Sequence, residues 1–202
     1  MNRIITLITF FCIISCQKDN LTNIPSYINI PTIQLDDNTT HNITDAWVYI
    51  NDNLQGVYEL PANFPILKEG VNKLRIKAGI KDNGIASTRI PYPFFSSYII
   101  DNQEFKPEET IIVNPIVNYL ESTVLYDNFE DFDGAGLNIN TDSISFSIES
   151  VDALDGNYGY IIISDSILLT EVTTKEFFNF PQQGSPVYLE IDYKANTSFL
   201  IG

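Results

Sequence analysis

"AWVYINDNLQGVYEL", residues 46–60, is the stretch that sets the fold class. Ala46-Trp47-Val48-Tyr49-Ile50 is β-branched and aromatic, the composition of a strand. It ends in Asn51-Asp52-Asn53, with Gly56 close behind, and residues of these types make turns. Val57 to Leu60 then reads as a second strand, so the segment is a strand, a turn and a return. Side chains alternate across a strand, so Trp47 and Tyr49 share a face, and core packing is expected for both.

The pattern continues outward. Lys68-Glu69-Gly70 is another turn. In Val71 to Lys77 (VNKLRIK), Leu74 and Ile76 alternate with Lys73, Arg75 and Lys77 facing the other way. Ile111 to Val117 is apolar, with Pro115 marking an edge or a bend. Beyond the first residues of the chain no long stretch keeps a 3.6-residue period. Val, Ile, Thr, Tyr and Phe dominate, with turn signals about every ten residues. The expected fold class is all-β, as two consecutive β-sandwich domains.

Composition narrows the chemistry. The 202 residues carry 11 Lys and Arg against 26 Asp and Glu, a net charge of −15. Nucleic acid needs clustered cations, and so does peripheral binding to anionic lipid, so neither is expected as a partner. His41 is the only histidine and Met1 the only methionine, and the two cysteines, Cys12 and Cys16, both lie near the N-terminus. If Cys12 is lost with a cleaved leader and Cys16 is taken by lipid, as the first residues read below, then zinc clusters, thiol nucleophiles, redox pairs and internal disulfides drop out. The charge is uneven. Residues 118–202 hold 14 acidic and 2 basic residues, whereas six of the 11 cations fall between Lys68 and Arg89.

The first residues read as an address. Met1-Asn2-Arg3 carries one positive charge, and Ile4 to Ile14 is a mostly apolar run of eleven residues. That is too short for a membrane-spanning helix of about 20 residues, and it suits a secretory signal peptide. Ile13-Ile14-Ser15-Cys16 resembles a bacterial lipobox. The resemblance implies a diacylglycerol thioether on Cys16, cleavage before it, and a further acyl chain on the freed amine. Two or more acyl chains anchor a protein stably, where one does so marginally. The alternative is an ordinary cleaved signal peptide. Gln17-Lys18-Asp19-Asn20 resembles the export tag of surface lipoproteins in Bacteroidota, although a second acidic residue would be expected at Asn20. The expected location is the bacterial outer membrane, lipid-anchored, at the cell surface or facing the periplasm.

The expected organisation is a signal peptide at 1–15, the lipidated Cys16 with a tether at 16–30, one β-sandwich at 31–117 and a second β domain at 118–202. "DAWVYINDNLQGVYELP" followed by "LKEGVNKLRIKAG" resembles the surface-layer repeat called PEGA and related Ig-like modules. That resemblance covers residues 45–80 and implies a spacer or a binding platform. In the second part, "VLYDNFEDFDGAGLNI", "LDGNYGYIII" and "VYLEIDYKANTSFLIG" resemble a jelly roll of the carbohydrate-binding-module type, with about six strands where about eight are usual. Phe199-Leu200-Ile201-Gly202 reads as a strand that stops midway. Either the domain is smaller than such a jelly roll or the chain is a piece of a longer one.

Several residues are candidates for chemistry. Glu130, Asp131 and Asp133, with Asp127 nearby and Gly134 following, place hard oxygen donors before a turn, as a structural calcium requires. The competing reading is a solvated acidic turn. Apart from that calcium no cofactor is expected. Tyr92, Phe94 and Phe95, in "RIPYPFF", form the densest aromatic stretch. Exposed, they would be a ring platform for a glycan or a protein, held rigid by Pro91 and Pro93. Buried, they would be core or inter-domain packing. His41 lies in a polar stretch with Asp36 and Asp37 but without a nucleophile elbow, so no catalytic role is expected. Asp142-Ser143-Ile144 and Asp165-Ser166-Ile167 resemble the short O-glycosylation sequon of exported Bacteroidota proteins.

The expected function is that of a lipid-anchored envelope protein, not an enzyme, acting as a surface module that binds glycan or protein or serves as a spacer. The alternative is a glycan hydrolase. It would require an open cleft with two carboxylates roughly 5–9 Å apart.

Overall fold

The structure is a computed structural model and describes residues 24–36, 40–124, 137–139, 146–154, 156–174 and 180–201. The chain is all-β and divides into two units, Met1–Leu120 and Glu121–Gly202.

Strands β1 (Ser26–Ile30), β2 (Gln34–Leu35), β3 (Asp45–Ile50), β4 (Asn53–Glu59) and β5 (Ala62–Ile66) open the first unit. β6 (Gly70–Lys81), β7 (Arg89–Pro91), β8 (Ser97–Phe105), β9 (Thr110–Ile112) and β10 (Ile116–Val117) complete it. The hairpin of β3 and β4 turns on Asn51 and Asp52, with φ of 49° and 63°. Two consecutive left-handed residues make the turn whose twist matches the flanking strands, and Asn and Asp tolerate that backbone better than other non-glycine residues. The Asn51 carboxamide ties the turn to β6: its oxygen accepts the Lys73 N–H at 3.0 Å, and its nitrogen donates to Asn72 Oδ1 at 2.8 Å.

The return strand begins at Asn53, earlier than Val57. Gly56 therefore lies inside β4, opposite Val48 and beside a bulge, rather than in the turn. A Cβ at Gly56 would stand 2.6 Å from the Tyr58 ring. With no side chain there, Tyr58 folds over the backbone and stacks flat on Phe64, centroids 3.6 Å apart. That contact joins the two sheets.

One sheet has the order β4-β3-β6-β7, with β8 also on β6. β6 is long enough to hold β3 on one edge and both β7 and β8 on the other. The second sheet has the order β5-β1-β9, with β1 antiparallel to β5 and parallel to β9. β2 and β10 form a further parallel pair. Pro31 follows β1 and Pro115 precedes β10, so each chain breaks its ladder at a residue that has no N–H to donate. This is the bend expected at Pro115.

The core lies between these sheets. Leu74, Ile76 and Ala78 of β6 share one buried cluster with Ile28 and Ile30 of β1 and with Val48, Phe64 and Phe105. All are buried. Each large aliphatic side chain removed from water contributes roughly 1.5–3 kcal/mol. Lys73, Arg75 and Lys77 face outward, as their alternation with Leu74 and Ile76 requires.

Trp47 and Tyr49 correct the sequence reading. They share a face, but it is the outer one, because Ala46, Val48 and Ile50 occupy the inner positions of β3. Both parities of this strand are apolar, and the smaller aliphatic set fills the space between the sheets.

In the second unit β11 (Leu137–Ile139) pairs antiparallel with β14 (Val172–Thr174), and β12 (Phe146–Glu149) with β13 (Tyr158–Ile161). Tyr158 and Tyr160 meet edge to face at 6.4 Å, and the Tyr158 hydroxyl donates to the Val151 carbonyl at 3.1 Å. Residues 180–201 contain no strand, which corrects the strand expected at Phe199–Ile201. There Phe199 instead packs on Tyr193 at 4.9 Å. Among the described residues no helix is long and apolar enough to cross a membrane.

Candidate interaction face

The outer face of the β4-β3-β6-β8 sheet gathers side chains that lie far apart in sequence. Register places them in rows. Leu54, Tyr49, Arg75 and Ile99 are successive cross-strand partners over four strands. Val57, Trp47, Lys77 and Ser97 form the next row. Directly opposite side chains in a sheet touch, so each row is a continuous strip of surface.

Two contacts shape the strips. The Arg75 guanidinium lies over the Tyr49 ring, 4.6 Å from its centroid, and also reaches Asp52 at 3.2 Å. One face of Tyr49 is therefore capped by a cation. The Trp47 indole lies across Gly79, where a Cβ would come within 2.7 Å of Nε1. Gly79 thus leaves the room that the Nε1 edge of the indole occupies. Trp47 and Tyr49 are half-buried as a result. The aliphatic residues at the ends of the rows are more open: Leu54 is 48%, Val57 36% and Ile99 47% exposed.

Positive charge concentrates here. Lys73, Arg75, Lys77, Lys81 and Arg89 all project from this face, five of the 11 Lys and Arg in an acidic chain. Most are answered locally. Lys73 and Arg75 both face Asp52, at 3.5 and 3.2 Å. Lys81 holds Glu59 at 2.9 Å, and Arg89 holds Glu59 at 2.7 Å and Asp45 at 2.9 Å. Lys77, beside Trp47 in the centre, has no ion-pair partner among the described residues.

Asp45 anchors one end of the face. It is 0% exposed, accepts a hydrogen bond from Thr44 Oγ1 at 2.7 Å, and is neutralised by Arg89. The Arg89 Nε–H is not aligned with the carboxylate oxygen, so that contact is an ion pair rather than a hydrogen bond. The hydrogen bond and charge of Lys81, with the charge of Arg89, hold the Glu59 carboxyl below its ordinary range. Asp45 and Glu59 are thus two carboxylates bridged by one guanidinium.

The residues singled out in the sequence are placed differently. Tyr92 is 6% exposed, and Phe94 and Phe95 are half-buried. Tyr92 packs on Phe95 at 4.6 Å and on Phe94 at 5.4 Å, and Phe95 meets Tyr119 edge to face at 5.0 Å. Backbone bonds from Ser96 N–H to the Asn118 carbonyl and from Leu120 N–H to the Phe94 carbonyl close the same region. The rings thus form a packed cluster within the first unit, and the open platform is not formed. His41 is exposed on the loop before β3, where its Nδ1 accepts the Ile43 N–H at 3.4 Å. Asp165 and Ser166 are the exposed centre of a tight turn closed by paired Ser164–Ile167 backbone bonds. Cys16, Asp127, Glu130, Asp131, Asp133 and Asp142-Ser143-Ile144 lie outside the described residues. Among the described residues no group of three His, Cys, Asp or Glu could hold a metal ion.

Sequence reasoning missed this face. Its available signal was the alternation of Lys73, Arg75 and Lys77, whose parity marks the outer side of β6. The pairing of Trp47 with Lys77 carries that parity onto β3. No family model, no curated protein and no solved structure matches the chain.

Proposed function

We propose that this chain is a lipid-anchored envelope protein, tethered through Cys16, whose first β-sandwich is a non-catalytic binding module. The observation that carries the reading is the pair of rows on the outer sheet face. Trp, Tyr and Arg are the residue types that concentrate binding energy in interfaces, and here they form a central group with open aliphatic side chains at its ends. They stand on strands rather than loops, so little conformational freedom is lost when a ligand covers them.

The test uses living cells producing the full chain. A photo-reactive amino acid at Val57 or Ile99, on the face, is expected to give a discrete cross-linked adduct. The same group at Leu67, exposed after β5 and away from the rows, is the control. Absence of an adduct from both face positions would reject the binding module. Metabolic acyl labelling of wild type and Cys16→Ala tests the anchor separately, and undiminished labelling in the variant would reject it.

A further inference from the structure

The chemistry of the same face also restricts what covers it, an inference that rests on the binding-module reading above. We infer that the partner is a protein surface that presents carboxylates beside apolar side chains. Two features of the face require both halves of that description. Lys77 stands in the middle of the Val57–Trp47–Lys77–Ser97 row without an acid, and Arg75 in the adjoining row spends itself on a half-exposed Asp52. A desolvated cation needs an anion supplied from outside, and complementary charge also steers the encounter. Leu54, Val57 and Ile99 are open at the two ends of the rows, and only an apolar partner surface gains from covering them.

Other occupants satisfy one half alone. An acidic polysaccharide would answer Lys77, but sugars stack on bare ring faces. One face of Tyr49 is already capped by Arg75, and Trp47 is half-buried with its Nε1 edge packed against Gly79. The three aliphatic side chains would stay wet. A second copy docking by the same face would set Lys77 and Arg75 near their own symmetry mates, since a two-fold interface brings identical patches together. An acidic, apolar-studded polypeptide meets both requirements at once.

The test uses the full chain in detergent and three probes. In the first, a random dodecapeptide library is selected on the immobilised protein. The selected peptides are expected to combine Asp or Glu with Leu, Ile or Phe. Their binding is expected to weaken about tenfold or more in Lys77→Glu and in Ile99→Asp, to survive in Lys77→Arg, and to fall with salt. Circular dichroism of each variant keeps loss of fold separate from loss of binding, and Val57→Asp serves if Ile99→Asp does not fold. Peptides without acidic residues, or peptides indifferent to both substitutions, would overturn the inference. Polygalacturonate is the second probe. Binding that Lys77→Glu abolishes, with no acidic peptide selected, would assign the face to a glycan. Sedimentation of the chain alone is the third, and a dimer dissolved by Lys77→Glu would assign it to a second copy. A face that cross-links in cells but selects no acidic peptide keeps the binding module and loses this partner class.

Discussion

Removing the Arg89 side chain from beside Asp45 is the sharpest test of how the first unit is held together. Asp45 is 0% exposed at the start of β3, and Arg89 is the cation that faces it. Breaking a buried pair by deleting one partner costs roughly 3–5 kcal/mol, because the other charge is left unpaired. Two features place Arg89→Met at the low end. The Arg89 side chain is itself 30% exposed, so water reaches the pair, and Thr44 Oγ1 still donates to Asp45 at 2.7 Å. The expected loss is about 3 kcal/mol. Loss of the Glu59 contact adds little, since Lys81 still holds that exposed carboxylate. Urea denaturation provides the assay, followed by the emission of Trp47, the only tryptophan in the chain and therefore a reporter of the first unit alone. With a urea slope of about 1–3 kcal/mol per molar, the midpoint should fall by roughly 1–3 M. Asp45→Asn combined with Arg89→Met should regain at least about 1 kcal/mol over Arg89→Met, because no buried charge then remains unpaired. A loss under about 1 kcal/mol in the single variant, or no recovery in the double, would refute the reasoning.

Three other outcomes follow from the same structure. Gly79→Ala should displace the Trp47 indole, cost about 1–3 kcal/mol and shift its emission to the red; an unshifted spectrum would show that the indole does not rest on Gly79. Phe105→Ala should cost about 3–5 kcal/mol in the same urea assay, because Phe105 is 1% exposed within the core; a loss below about 1 kcal/mol would place the ring outside it. Glu59 has a depressed pKa in the fold, chiefly through Lys81, so its stabilising contribution is present above the ordinary carboxylate range. That contribution disappears as pH falls through the depressed value, and Glu59→Gln should melt with a flatter acid limb than wild type; parallel curves would remove Glu59 from the acid transition.

Much of the first unit was legible before its structure. The hairpin at 46–60 follows from β-branched residues on either side of Asn51-Asp52, and the inward set of β6 follows from Leu74 and Ile76 alternating with cations. Alternation says which residues share a face, not which face is inside. Where both parities are apolar, as in Ala46 to Ile50, the decision belongs to the neighbouring strand. Trp47 declares itself an outer residue only once it is known to sit opposite Lys77. For the rings of Tyr92, Phe94 and Phe95 the sequence left an open and a packed state as alternatives, for a related reason. Their open or packed state depends on Tyr119, which no local pattern links to them. The start of β4 at Asn53 was hidden because Gly56 looks like turn chemistry, whereas its role is to leave room for Tyr58.

The parallel pairing of the first and last strands has a mechanical consequence. β1 with β9, and β2 with β10, run side by side in the same direction. A pull across Ile24 and Leu120 therefore slides the two chains lengthwise rather than peeling them apart. The bonds from Glu108 N–H to Pro25, Tyr27 N–H to Glu109, Val113 N–H to Asn29, Gln34 N–H to Pro115 and Asp36 N–H to Val117 then share the load together. A module clamped in this way resists traction between its two ends far better than one whose terminal strands unzip bond by bond. Single-molecule stretching from those two ends should give a single high rupture peak for this unit, and a low plateau would contradict the clamp.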